Sequence, residues 1–323
     1  MSQPTVCVLG GGGFVGRHLV PLLANQGWRV RVPARRREPV KHLILLPGVE
    51  VVETDIHQPG ELDRLFQGVQ AVINLVGILH ETAPAGGEDE RSRRGSFQHA
   101  HVGLPGQVVG TCRRAAVRRL LHMGALGASE TSPSAYQRSK AQGEALVRAA
   151  ADLEVTVFRP SVIFGPGDSF LSLFARLLPL APVLPLADGH ARFQPVFVGD
   201  VARAFATALS RPETVGQAYN LCGPRVYSLA ELLGLTAREL GLKRLILPLG
   251  PGPSYWFARL MELKPGRKLM TRDNHYAMQA DNVCPDGFPA VFGRPTPLEA
   301  VIGYLREVHP RRHYDPFRRR AGR

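Results

Sequence analysis

Strand-like and helix-like segments alternate through the first half of this chain, and that alternation narrows its fold more than any other feature. TVCVLG, WRVRVP, VEVVETD, QAVINLVG, RRLLHMG and EVTVFRP, beginning at residues 5, 28, 49, 70, 118 and 154, are short and almost continuously apolar. Parallel strands covered on both faces have this pattern. Helical segments are expected between them at 15–25, 40–45, 61–66, 97–116 and 135–151. The order predicts an α/β fold built on a doubly wound parallel sheet. From about residue 165 proline and glycine become frequent and the alternation fades. The expected organisation is a main domain over 1–165 with a return segment at 194–220, a smaller substrate or partner region over 166–193 and 221–310, and a basic tail at 311–323. The strand and helix of the return segment, FQPVFVGDVARAFATAL, could pack back on the main sheet.

Composition removes several function classes. With 44% hydrophobic and 21% charged residues over 323 positions, the chain resembles neither a disordered nor a fibrous protein. Its longest apolar stretch, 173–186, contains Arg176 and three prolines, too broken for the roughly 20 helical residues a bilayer requires. The first residues run directly into a strand without the layout of a signal peptide, so a cytoplasmic protein is expected. Cys7, Cys112, Cys222 and Cys284 are far apart and form no C-x-x-C pair, which argues against a zinc site, any other metal site and a disulfide framework. They are expected to be reduced and structural. The formal charge of +13 comes from 35 arginines and only five lysines against 27 acids. Without interleaved aromatics or a nucleic-acid module, this charge makes nucleic acid an unlikely partner.

The clearest chemical signal is VCVLGGGGFVG. Gly10, Gly13 and Gly16 follow the first strand in G-x-x-G-x-x-G spacing and open the first helix, with Gly12, Phe14 and Val15 as further candidate contacts. Such a turn lets the backbone approach a pyrophosphate while the helix N-terminus offers N–H groups and positive dipole. After the second strand, RVPARRR offers Arg35, Arg36 and Arg37 before any acid. An arginine here accommodates a 2′-phosphate, so NADP(H) is favoured over NAD(H); a solvated basic loop would leave the choice open. Asp55 and Ile56 follow the third strand and could flank adenine. Leu75, Val76 and Gly77 end the fourth strand beside the expected dinucleotide path.

Tyr136 and Lys140 stand four residues apart on an expected helix and can face one ligand. A neighbouring ammonium lowers a phenol's pKa and suits it to proton transfer at a carbonyl or alcohol. Together with GGGGFVG, NLVG, YQRSK and FRPSVIFGPGD, this pair resembles the extended short-chain dehydrogenase/reductase superfamily, the epimerase and dehydratase type with a Rossmann domain. GALGAS, FQPVFVGDVARA and YNLCGP are similar to its atypical branch, which includes the NADPH-binding accessory subunit of respiratory complex I and its bacterial relatives. The resemblance spans about 5–232. It implies that Tyr136 transfers the proton, that Lys140 holds the nicotinamide ribose and tunes Tyr136, and that Pro160 and Val162 border the nicotinamide. It also exposes a departure: Gly124 replaces the serine of the family's S-A-L-G-A, whose hydroxyl orients the substrate carbonyl. Losing such a donor typically costs on the order of 100-fold to 1,000-fold in turnover. Ser134 is expected to cap the helix rather than replace that serine.

Two functions therefore stand open: a dinucleotide-binding protein serving a respiratory or quinone-synthesising partner, and an active reductase or nucleotide-sugar epimerase/dehydratase acting on an unknown small-molecule substrate. The arginine-rich tail, with Tyr314 and Phe317, is either a solvated terminus or a peripheral contact with anionic membrane.

Overall fold

The computed structural model describes residues 3–81, 95–263 and 270–308; the basic tail lies outside them. Along the chain come β1 (Thr5–Leu9), α1 (Gly16–Asn25), β2 (Arg29–Ala34), β3 (Val49–Glu53), α2 (Glu61–Phe66), β4 (Ala71–Asn74), α3 (Leu104–Arg114), β5 (Arg119–Met123), α4 (Ala135–Arg148) and β6 (Glu154–Pro160). There follow β7 (Ile163–Phe164), α5 (Leu171–Leu177), β8 (Val183–Leu186), β9 (Arg192–Phe193), β10 (Val196–Phe197), α6 (Val198–Leu209), β11 (Ala218–Leu221), β12 (Tyr227–Ser228), α7 (Leu229–Glu239), β13 (Leu245–Pro248), α8 (Pro251–Glu262) and α9 (Arg272–Ala277). The chain divides into two units, Met1–Pro160 with Gly199–Leu221, and Ser161–Val198 with the chain from Cys222 onward.

The first unit carries the doubly wound sheet. Seven strands lie in the order β11-β6-β5-β4-β1-β2-β3, and each neighbouring pair is parallel. Val6, Cys7, Val8 and Leu9 of β1 are all fully buried, as a central strand covered on both faces requires. The strand order reverses between β1 and β4, whose carboxyl ends meet at the register pair Leu9↔Asn74. A crevice outside such a reversal is where doubly wound sheets bind ligands.

The return segment joins the first unit over Gly199–Leu221, where Ala218–Leu221 extends the main sheet beside β6; what changes is its short strand, since Val196–Phe197 pairs with Ile163–Phe164 within the second unit. Short apolar runs give no indication of which partner they will find.

The helix expected over 97–116 is also two elements, a π-helical turn at Gln98–Gly103 followed by α3. Pro105 has no N–H to donate to the carbonyl of His101, so the regular ladder cannot run through that position. The Leu104 N–H reaches the His99 carbonyl instead, the wider spacing of a π turn. α4 packs there closely: a Cβ on Gly143 would lie 1.7 Å from the His101 carbonyl oxygen.

The second unit packs Phe164, Leu171, Leu178, Phe193, Leu232, Leu233 and Leu305 into its own core. It also corrects the reading of the cysteines. Cys222 and Cys284 form a disulfide, with Cα atoms 6.1 Å apart across a sequence separation of 62. That distance along the chain leaves no spacing signal to read. The Gln194 side chain reinforces the junction, donating to the Gly223 carbonyl at 2.7 Å and accepting from the Cys284 N–H at 2.9 Å. Cys7 and Cys112 are free and buried, and burial pushes both thiols up to about 12.

Alkylation of the denatured, unreduced protein should label two cysteines, and alkylation after reduction four. Cys222→Ser should lower stability by up to about 4 kcal/mol, the chain-entropy value for a loop of this length, measured by denaturant unfolding.

Candidate functional site

The carboxyl ends of β1 and β4 bring the glycine turn against the loop after β4. Gly10 has φ +80°, and a Cβ there would meet the Leu75 carbonyl carbon at 3.2 Å and the Val76 nitrogen at 3.3 Å. Gly16 is equally restricted, its Cβ position lying 2.4 Å from the Gly11 carbonyl oxygen. Only glycine lets the turn fold back this tightly onto the start of α1. Gly13 is exposed at the crest of the turn. Phe14 is half-buried and Val15 buried behind it. No side chain caps α1 and its first turn carries no carboxylate, so no side-chain charge opposes its dipole toward an incoming anion. An open glycine crest at an uncapped helix start fits the pyrophosphate of a dinucleotide.

The basic run passes the same turn. Val32 and Val40 lie against the Cβ positions of Gly11 and Gly12, so the segment carrying Arg35, Arg36 and Arg37 between them skirts the glycine loop. All three arginines are exposed, and Arg37 pairs with Glu53 at 3.6 Å. Beyond β3 the Asp55 side chain accepts from the His57 N–H at 3.1 Å, shaping its own turn, while Ile56 and Val76 both pack on the core beneath the sheet.

Asn74 shapes the loop after β4. Its side chain accepts from the Val76 N–H at 3.1 Å, and its amide lies 3.3 Å from Nδ1 of His122, the register neighbour on β5. Gly77 emerges exposed beside α4, its Cβ position 3.2 Å from Nζ of Lys140. Gly10, Leu75, Val76, Gly77 and Lys140 thus meet at one end of the sheet.

α4 begins where Ser134 accepts from the Gln137 N–H, the capping role expected of it. Tyr136 is half-buried, and burial pushes its phenol up to about 12. Lys140 is buried; burial lowers its ammonium to about 8, partly opposed by Glu144. Lys140 Nζ donates to the Met123 carbonyl at 3.1 Å. Both shifts favour the neutral forms, the reverse of a phenolate–ammonium pair.

Sequence reasoning missed His101. Its Nε2 accepts from the Ile78 N–H at 3.1 Å, so the proton sits on Nδ1, which lies 2.9 Å from the Ser139 hydroxyl; that hydroxyl donates to the Tyr136 carbonyl at 2.8 Å. The imidazole stacks on Phe97 and meets the Tyr136 ring edge-on. Burial, with the charge of Lys140 adding to it, lowers its pKa to about 3. His101 joins the loop after β4 to α4 as a neutral clamp. Its only trace in the sequence was the cluster QHAH just ahead of Pro105.

Gly124 lies against the ion pair of buried Glu144 and half-buried Arg159. A Cβ there would meet Glu144 Oε2 at 2.8 Å, Arg159 Cγ at 3.4 Å and Val157 Cγ1 at 3.4 Å. Glu144 is held by Arg159 through Nε at 2.9 and 3.0 Å and through a short Nη2 contact. The carboxylate is therefore fixed where a side chain at 124 would project. A groove of about 790 Å³, lined in part by Ala141, Glu144, Arg148 and Gln217, runs beside this pair; none of the glycine-turn residues lines it.

Pro160 ends β6 in the first unit, its carbonyl accepting from Leu126 N–H at 3.0 Å. Val162 belongs to the second unit, where its N–H donates to Asn282 Oδ1 at 3.1 Å and its carbonyl accepts from Val196 N–H at 3.0 Å. Among the described residues no group of three His, Cys, Asp or Glu could hold a metal ion, and no helix is long and apolar enough to cross a membrane.

Comparison with known proteins agrees with this geometry. The chain is 31% identical over 93% of its length to mouse (Mus musculus) NADH dehydrogenase [ubiquinone] 1 alpha subcomplex subunit 9, mitochondrial, covering 78% of that protein. It is 36% identical to the ceramide reductase of Caulobacter vibrioides over 67% of this chain and 63% of that one. A nucleoside-diphosphate-sugar epimerase structure from Staphylococcus aureus superposes with a TM-score of 0.71 at 17% identity, covering 94% of this chain and 99% of that one, a likeness of fold. The model of the NAD dependent epimerase/dehydratase family matches residues 6–222. With its glycine turn at the strand-order reversal and a Tyr–Lys helix beside it, the chain belongs to the NAD dependent epimerase/dehydratase family and binds a nicotinamide dinucleotide.

Proposed function

We propose that this protein holds NADP(H) chiefly as a stabilising or redox-reporting ligand in the service of a respiratory, complex I-like, or quinone-synthesising assembly, and that catalysis at its Tyr–Lys pair is impaired. The observation that carries this reading is Gly124: no hydroxyl stands there to orient a substrate carbonyl, and Glu144, locked by Arg159, lies 2.8 Å from where its Cβ would be. The opposed shifts of Tyr136 and Lys140 support it. So does the mouse relative, whose name places it in an NADH dehydrogenase.

In this reading the turn from Gly10 through Gly12, Gly13, Phe14, Val15 and Gly16 cradles the pyrophosphate, and Arg35 neutralises the 2′-phosphate. Asp55 and Ile56 flank the adenine, Leu75, Val76 and Gly77 line the path to the nicotinamide, and Pro160 borders it. Lys140 holds the ribose. When bound, the dinucleotide supplies a hydride donor or acceptor. The protein works in the cytoplasm, and its basic tail is either a solvated terminus or a contact with anionic membrane or a partner.

The active-enzyme reading, an NADPH-dependent reductase or a nucleotide-sugar epimerase/dehydratase, keeps Tyr136 as proton donor or acceptor. It is favoured by the placement of Lys140 against Gly77 and by the similarity to a ceramide reductase.

Three measurements test these assignments. Gly13→Asp should abolish NADPH binding in calorimetry while leaving the circular dichroism spectrum intact, because it sets a carboxylate against the pyrophosphate; unchanged affinity would reduce the glycine motif to a turn. Wild type should bind NADPH more tightly than NADH, and Arg35→Ala should shrink that preference about tenfold, the loss of one charge-assisted contact of roughly 1.5 kcal/mol. Equal affinity of wild type for both cofactors removes the NADP(H) assignment. Finally, Gly124→Ser should retain NADPH but oxidise it no faster than wild type when offered carbonyl or sugar-nucleotide substrates. A gain in turnover that Tyr136→Phe then removes would establish the enzyme instead.

A further inference from the structure

Helix α8 carries large apolar residues on its outer face as well as its inner one. Gly250 caps it in an extended conformation and a proline starts it. Its two fully buried positions are small: Ser254 accepts from the Asp188 N–H at 2.9 Å and donates to the Leu249 carbonyl at 3.2 Å, and Ala258 follows one turn on. Tyr255, Phe257 and Met261 are half-buried, Tyr255 lying against His275 and Tyr276, but a second set of large apolar residues faces outward. Trp256, Leu260 and Leu263, spaced i, i+4 and i+7, are 63%, 59% and 77% exposed. A helix on a globular surface normally turns its apolar stripe to the core and its polar face to water; here the stripe is left to something else. The ribbon just before it repeats the arrangement. β8 and β13 pair in parallel with Leu245 opposite Val183 and Leu247 opposite Pro185, and Val183, Leu245 and Leu247 are exposed together with Leu180.

The charges beside the stripe select the occupant. Arg259 stacks over the Trp256 ring at 5.3 Å, a cation carried on the apolar face. The nearby carboxylate, Glu262, is half-buried and engaged by Arg272 through Nε and the main-chain N–H, both at 2.8 Å. The whole chain carries +13, which repels a second copy and draws in an anionic surface. Exposed tryptophan and leucine with an arginine stacked beside them are side chains that a bilayer interface accommodates, the apolar bodies buried and the cation at the headgroups.

We infer that the outward stripe Trp256, Leu260 and Leu263 of this helix docks the protein on an anionic lipid bilayer surface, the helix lying in the interfacial plane. This inference depends neither on the cofactor assignment nor on the C-terminal tail.

The test uses the full chain. Trp28 is the other of its two tryptophans, so a Trp28→Phe variant reports Trp256 alone. Vesicles of mixed phosphatidylglycerol and phosphatidylcholine should shift its emission to the blue and, when made with brominated lipid, quench it; pure phosphatidylcholine should do so more weakly. Trp256→Ser with Leu260→Ser, folding checked by circular dichroism and thermal melting, should co-sediment at least about tenfold less, the effect of removing two buried apolar side chains. Should that double variant fail to fold, quenching in Trp28→Phe decides alone. The inference is overturned if wild type stays in the supernatant at low salt, or if Trp256 emission is unmoved while the protein sediments, which would hand attachment to the tail. It is also overturned if the stripe instead mediates a concentration-dependent dimer that the double variant abolishes.

Discussion

The close contact between the turn after β1 and the loop after β4 is the constraint on which the site depends. Backbone meets backbone there, with Gly10 against Leu75 and Val76 and the Leu75 N–H donating to the Leu9 carbonyl at 3.0 Å. Any side chain at Gly10 would force the two loops apart, and Gly77 would leave Lys140. The crevice at the strand-order reversal exists because two stretches of main chain occupy space that side chains would ordinarily fill. It is maintained from below by Asn74 and His122 and from the side by His101, polar groups buried and satisfied on the same edge of the sheet.

How far the sequence reveals this depends on the range over which each determinant acts. β1, its glycine turn and α1 are legible because apolar runs, glycines and a helix start lie in one continuous stretch. Lys140 and Tyr136 are legible as a pair because helical spacing is local. His101 is not, since what makes it a clamp is an N–H at Ile78, on another element, and a π turn forced by a proline four residues ahead. Cys222 and Cys284 are invisible for the same reason, as is the exchange by which Ala218–Leu221, and not Val196–Phe197, extends the main sheet. A short strand's partner is chosen by the packing of whole units, which periodicity does not encode.

Gly124 shows how a single atom's absence can be read two ways. From sequence it is a missing hydroxyl. In the folded chain it is also the clearance that lets the Glu144 carboxylate reach the Arg159 guanidinium from within α4. Removing Arg159 would leave the buried Glu144 carboxylate with the more distant Arg148, at 3.9 Å, a costlier state than the pair. The glycine and the ion pair therefore constrain each other, and a serine could return only with an adjustment of Glu144.

The neutral imidazoles beneath the crevice have a consequence for acid tolerance. His101 and His122 are both held to about 3 by burial and by the nearby Lys140 charge, whereas in an unfolded chain each would take up a proton near 6.5. As pH falls below that value the unfolded state binds protons that the folded state refuses, and each imidazole withdraws up to about 1.4 kcal/mol of stability per pH unit. Acidification therefore draws stability from the dinucleotide unit while both imidazoles remain neutral in the folded chain.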